Sequence, residues 1–192
     1  MPPTHDEDRK LIIDAAYRCL AEPHDGPIPV AAILSRAGLS SRAFYRHFAS
    51  KDDLFLAMLC RECGELARRL DRIADGDGTP AQQLCAWIDT MFALPGDPEL
   101  GTHLMLLDSD EVRAARGYRE ARLRLHTERE RSLVRILRRG RDDGTFPLTD
   151  PDYDAAALNA VISHALTVDD LRTRPELTRR FALRMLGARV SA

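Results

Sequence analysis

Apolar residues in this chain return every three or four positions, and sustained alternation is missing. That spacing puts side chains on one face of an α-helix, which turns once in about 3.6 residues. Pro and Gly gather at Pro23–Pro29, Gly76–Pro80, Pro95–Pro98, Gly140–Pro147 and Pro151, cutting the periodic pattern into segments. No long run rich in Val, Ile and Thr marks a strand. The expected fold is all-α, with about nine helices.

The first helix is expected over Asp8–Ala21, with Leu11, Ile12, Ala15, Ala16 and Cys19 on one stripe. Two short helices follow, Val30–Arg36 and Ser40 or Ser41 to Phe48, joined at Ala37-Gly38-Leu39. Gly38 tolerates the positive φ of such a turn, and Ser40 suits the cap of the second helix. Ser50-Lys51-Asp52-Asp53 reads as a capping box that opens a long helix to about Ile73. Thr79-Pro80-Ala81-Gln82 repeats the box. Further helices are expected over Glu99–Leu107, Glu111–Arg139, Pro151–Leu171 and Pro175–Val190. Glu111–Arg139 is longer than the usual 8–20 residues, which leaves room for a break near Gly117.

Composition sets outer bounds. The 192 residues fit one ordinary domain, or a small module and a larger one. With 44% apolar and 30% charged residues the chain can fill a core, unlike a disordered chain. The longest stretch free of charged residues, Ala155–Val168, falls short of the about twenty that span a bilayer, so no membrane partner is expected. Four irregularly placed Cys and a polar, acidic start suggest a reducing, cytoplasmic setting, with the first residues as a loose tail. Net charge is −2, which excludes a generally cationic nucleic-acid coat. Arg far outnumbers Lys, a bias that a GC-rich coding sequence also produces.

Local charge is a different matter. Two short helices on a tight turn, buttressed by a third, form a helix-turn-helix arrangement. From Ala31 to Lys51 this segment carries Arg36, Arg42, Arg46 and Lys51 and no acid. The flanks hold Asp6, Glu7, Asp8, Asp14, Glu22 and Asp25, then Asp52, Asp53 and Glu62. A local patch is enough to attract phosphates.

Ala37-Gly38-Leu39-Ser40, Phe44-Tyr45-Arg46-His47-Phe48 and Ser50-Lys51-Asp52-Asp53-Leu54 occur in this order. Together they resemble the DNA-binding signature of the tetracycline-repressor family of bacterial transcriptional regulators. The motif match runs from about Leu11 to Leu59, and beyond it only length and helix layout are similar. The resemblance implies a helix-turn-helix DNA-binding domain over residues 8–50 and an effector-binding and dimerisation domain over 51–192. It implies a homodimer that places one helix per subunit in the major groove of a palindromic, double-stranded operator. A small-molecule effector would then release the DNA, making the protein a ligand-responsive repressor.

Residue roles follow. Ser41, Arg42 and Arg46 are expected on the exposed face of the reading helix, with an Arg forking onto guanine O6 and N7. Tyr45, His47 and Lys51 match the family's phosphate-contacting positions, which fix register and do not read sequence. The amides of the helix capped by Ser50 offer another phosphate site. Phe44 and Phe48, four apart, are expected in the core. One departure is Pro29-Val30, which stands where family members often carry a capping Ser or Thr.

The resemblance also places an effector cavity between the helices from Lys51 to Arg139. Candidate lining residues are Met58, Trp87, Met91, Phe92, His103, Leu104, Leu107, Tyr118 and Leu123. A mostly apolar wall suits an apolar or amphipathic effector. The same residues also suit an ordinary core. The last two helices are implied as the dimer surface, with Ala157, Val161, His164, Phe181 and Met185 as candidates. Eleven Arg between Arg113 and Arg141 read as a solvated, salt-bridged face, or as contacts for an anionic effector.

Other constellations carry little. Cys60-Arg61-Glu62-Cys63 has redox or zinc spacing, but a structural zinc needs two further ligands nearby. Ser163, His164, Asp169 and Asp170 hold the letters of a triad without its geometry. No metal, no cofactor and no enzymatic activity are expected. The alternative reading is a small-molecule-binding or scaffold protein of the same fold that does not bind DNA.

Overall fold

The computed structural model describes residues 5–24 and 26–188. The expected tail lies partly outside these residues, as does Val190 at the end of the last expected helix. Among the described residues the fold is all-α, with eleven α-helices and one 3₁₀ turn. They are α1 (His5–Ala21), α2 (Val30–Ala37), α3 (Ser41–Tyr45), α4 (Lys51–Ala74), α5 (Pro80–Ala93), the 3₁₀ turn Leu94–Gly96, α6 (Leu100–Leu106), α7 (Asp110–Arg113), α8 (Tyr118–Asp142), α9 (Pro151–Thr167), α10 (Asp169–Arg172) and α11 (Pro175–Met185).

The count exceeds nine because two expected helices are broken. Gly117 takes φ +91° between α7 and α8. Val168, extended at φ −106° and ψ 115°, separates α9 from α10. The reading helix is also shorter than expected: α3 stops at Tyr45, and Arg46 to Phe48 continue only as a turn on Phe44 O.

Local signals place the helix starts. Ser40 Oγ accepts the Ala43 amide, and Ser50 Oγ accepts the Asp53 amide. Thr79 and Gln82 make a reciprocal capping box at α5. Pro29 stands at the N-cap of α2 without a side-chain bond. Gly38, at φ +68°, makes the turn after α2.

Packing divides the described chain into two units. One takes the residues up to Cys63 together with Pro98–Leu123; the other takes Gly64–Asp97 together with the residues from Arg124 on. In the first, α1 packs on α2, α3 and α6. Ile12, Ile13, Ala16, Ile33, Phe44, Phe48, Leu54 and Phe55 are buried there. In the second, α5 packs on α9 and α11. Its buried residues include Leu84, Trp87, Ile88, Leu133, Ile136, Phe146, Leu158 and Ile162. Arg179 of α11 pairs with Asp89 of α5. No described helix is long and apolar enough to cross a membrane.

Candidate nucleic-acid interface

The face of α3 follows from its inward residues. Ala43 and Phe44 are buried, and Phe44 packs against Phe48 at 5.6 Å between ring centroids. A helix anchored through those positions turns Ser41, Arg42 and Tyr45 outward, and all three are exposed. Tyr45 is 65% exposed and meets the edge of Phe44, which leaves its outer end open to a phosphate-sized partner. His47 is half-buried beside Phe48.

The acid-free stretch is neutralised from outside itself. Arg36 Nη2 donates to Glu22 at 2.7 Å and holds that carboxyl below its usual range. Arg46 Nη2 donates to Asp8 at 2.7 Å. Lys51 Nζ donates to Glu111 at 2.6 Å and to Ile28 O at 3.0 Å. Among the described residues, Arg42 is the cation of this stretch that makes no ion pair. It therefore presents an uncompensated guanidinium fork on the exposed face of α3.

Asp8, Glu22 and Glu111 were not singled out as partners from sequence. In sequence, Asp8 marks a helix start and a flanking acid, Glu22 a flanking acid and Glu111 a helix start. Their contacts span 38, 14 and 60 residues respectively, and no local spacing rule reaches that far.

The expected effector residues fall in both units. In the first, Met58 and Leu107 are fully buried, His103 and Leu104 half-buried, and Leu123 is 69% exposed. Tyr118 donates to Asp108 at 3.1 Å. His103 stacks on Tyr17 at 3.8 Å and lies 3.3 Å from the buried Glu62 carboxylate, which also accepts from Tyr17. In the second, Trp87, Met91 and Phe92 are buried, and Trp87 Nε1 donates to Ser132 Oγ at 2.9 Å. The polar edge of that indole is thus already used inside the core.

Two open grooves lie among the described residues. One of about 420 Å³ is lined by Ala160, Val161, His164, Leu171, Leu177 and Phe181 and is mainly apolar. The other, of about 390 Å³, lies along Arg113, Gly117, Tyr118, Arg119 and Arg122. There Asp108 holds Arg113, Tyr118 and Arg122 together, so much of that positive charge is internally paired. Of the expected dimer residues, Val161, His164 and Phe181 line the apolar groove, while Ala157 and Met185 are half-buried on the same helices. Cys60 is exposed and Cys63 half-buried, both as free thiols.

An all-α chain whose α1–α3 form a helix-turn-helix, with an exposed cationic and aromatic reading face, has the class features of a DNA-binding regulator. Residues 12–58 match the family model described as bacterial regulatory proteins, tetR family. Over that segment the chain is similar to the tetR family. The transcriptional regulator BetI of Brucella canis is 32% identical over 85 residues, 44% of this chain and 43% of BetI. The repressor KstR of Mycolicibacterium smegmatis is 33% identical over 78 residues, 41% of this chain and 38% of KstR. The matches thus span about two fifths of these relatives.

Solved structures extend the likeness along the chain. SmeT, the repressor of the Stenotrophomonas maltophilia multidrug efflux pump SmeDEF, is 26% identical with a TM-score of 0.68, covering 92% of this chain and 88% of SmeT. FadR of Bacillus subtilis, in complex with stearoyl-CoA, is 20% identical with a TM-score of 0.74, covering 92% of this chain and 98% of FadR. The FadR likeness concerns the fold alone.

Proposed function

We propose that the chain is a sequence-specific DNA-binding transcriptional regulator that acts as a homodimeric repressor. The observation that carries this is the face of α3, where Arg42, unpaired among the described residues, stands beside Ser41 and Tyr45 in a tetR-type helix-turn-helix. Arg42 reads a guanine, Ser41 meets a base edge or phosphate, and Tyr45 and His47 fix register on the backbone. Arg46 joins this set, held by an acid that DNA must displace or share, while Lys51, also expected there, stands neutralised by Glu111. Residues 8–50 act as the reading head, and residues 51–192 as the effector-binding and dimerisation part.

The apolar groove between α9 and α11 supports a two-fold interface, since an exposed apolar surface of this kind is covered in closed oligomers. The effector is a small apolar or amphipathic molecule whose binding releases the operator. SmeT, 28% identical over 93% of this chain in its triclosan complex, takes such a molecule, which supports the reading. Footprinting on DNA beside the chain's own gene tests the function. The expected result is protection of a palindrome, lost in Arg42→Ala with Tyr45→Ala. Unchanged protection by that double variant overturns the residue assignment.

A further inference from the structure

Lys51, Glu111 and the peptide of Ile28 form a closed knot. Lys51 Nζ donates to Glu111 Oε1 at 2.6 Å and to Ile28 O at 3.0 Å. Glu111 Oε1 also accepts the Ile28 amide at 3.2 Å. The Glu111 side chain is 12% exposed and that of Lys51 26%. Lys51 is the first residue of α4, and Glu111 belongs to α7, which is anchored by the fully buried Val112. Of the three paired cations in the acid-free stretch, Lys51 has the least exposed side chain.

We propose that Glu111 is a positioning residue for DNA binding: its carboxylate decides whether the Lys51 ammonium is offered to a DNA phosphate. The inference rests on the reading of the chain as a DNA-binding regulator. An ammonium has three donors, and two are taken here. A phosphate arriving at the third meets the Glu111 charge at contact distance, and a lysine already neutralised releases no DNA counterion. The contact therefore becomes productive only when Glu111 draws away or loses its charge. Because Glu111 comes from α7 and not from the helix-turn-helix, a shift of α7 is read at the start of α4. The same carboxylate holds the Ile28 amide just before Pro29, where α2 has no side-chain cap. A simple brace is the competing role.

Glu111→Gln separates the two roles, because Gln keeps an oxygen for the Ile28 amide and removes only the charge. The full chain is titrated, over a range of salt, onto a short duplex selected by the wild type from a randomised pool. The variant should bind more tightly, with a plot of log K against log salt steeper by about 0.9. Between 50 and 200 mM salt it should then lose about threefold more affinity than the wild type. Adding Lys51→Gln should return the wild-type slope. A wild-type slope in Glu111→Gln, or weaker binding with melting unchanged, overturns the proposal. Should Glu111→Gln fail to fold, Lys51→Gln alone decides: an unchanged slope supports the pairing, and a slope shallower by about 0.9 overturns it. A wild type that selects no duplex removes the DNA-binding reading itself, and the proposal with it.

Discussion

Arg46 Nη2 lies 2.7 Å from Asp8 Oδ2, and the Asp8 side chain is 5% exposed while that of Arg46 is 55% exposed. This ion pair pins the C-cap of α3 to α1. Asp8 Oδ1 is buried and has no partner among the described residues, so the carboxylate depends on Arg46. Arg46→Ala should lower unfolding stability by about 1–3 kcal/mol, toward the low end because the guanidinium is half in water. Asp8→Ala combined with Arg46→Ala should recover most of that loss in urea unfolding. DNA affinity should stay low in both, since the missing cation is not replaced.

The helices were legible wherever local rules decide them. Ser40, Ser50 and Thr79 cap helices as their positions suggested, because a cap involves neighbours only three residues away. The inward Phe44 and Phe48 followed from their four-residue spacing, and the outward Ser41, Arg42 and Tyr45 stand where the family resemblance implied exposed DNA-contacting residues. The charge balance of the interface did not. Counting acids between Ala31 and Lys51 finds none, yet Glu22, Asp8 and Glu111 reach in from elsewhere and cancel three of four cations. Packing decides such pairs. Trp87 shows the same limit: its indole reads from sequence as core or ligand platform, and the Ser132 bond that occupies it lies 45 residues away.

Gly140 marks a close approach inside α8. A Cβ there would stand 2.0 Å from Phe146 Cδ2, and Phe146 is fully buried. Gly140→Ala must push the ring or the helix, at a cost of about 1–3 kcal/mol or more. Thermal melting should show a clear drop in Tm. Gly96→Ala, where nothing lies within 4 Å, should leave the melt nearly unchanged.

Tyr17 ties stability to alkaline pH. Burial first, and then the charge and hydrogen bond of Glu62, push its phenol well above the ordinary value. The unfolded chain gives up this proton near pH 10, while the folded chain keeps it. The folded state then binds more protons, so this contribution to stability is full below about pH 10 and is lost as pH rises above it. Burial shifts Cys85 and Tyr118 in the same direction, which leaves a residual slope. Tyr17→Phe should cost about 1 kcal/mol at neutral pH, where Glu62 loses one donor. It should also flatten the decline in Tm between pH 9 and 11. An equally steep decline in the variant would show that Glu62 does not hold the Tyr17 proton.

Phe181 and Val161, 37% and 38% exposed, line the same apolar groove. Water against such a surface is unfavourable, and a partner subunit burying about 1,200–2,000 Å² in total would remove it. At the proposed two-fold interface a carboxylate placed there would be desolvated, close to its symmetry mate. Phe181→Asp should therefore convert the proposed dimer to monomer in light scattering at micromolar concentration, with helix content retained by circular dichroism. The two reading heads then bind independently, and affinity for a palindrome should fall by about 10²–10⁴-fold. Binding to a single half-site should change little, because Arg42 and Tyr45 lie on α3 and not in this groove. A Phe181→Asp chain that still scatters as a dimer would place the interface elsewhere.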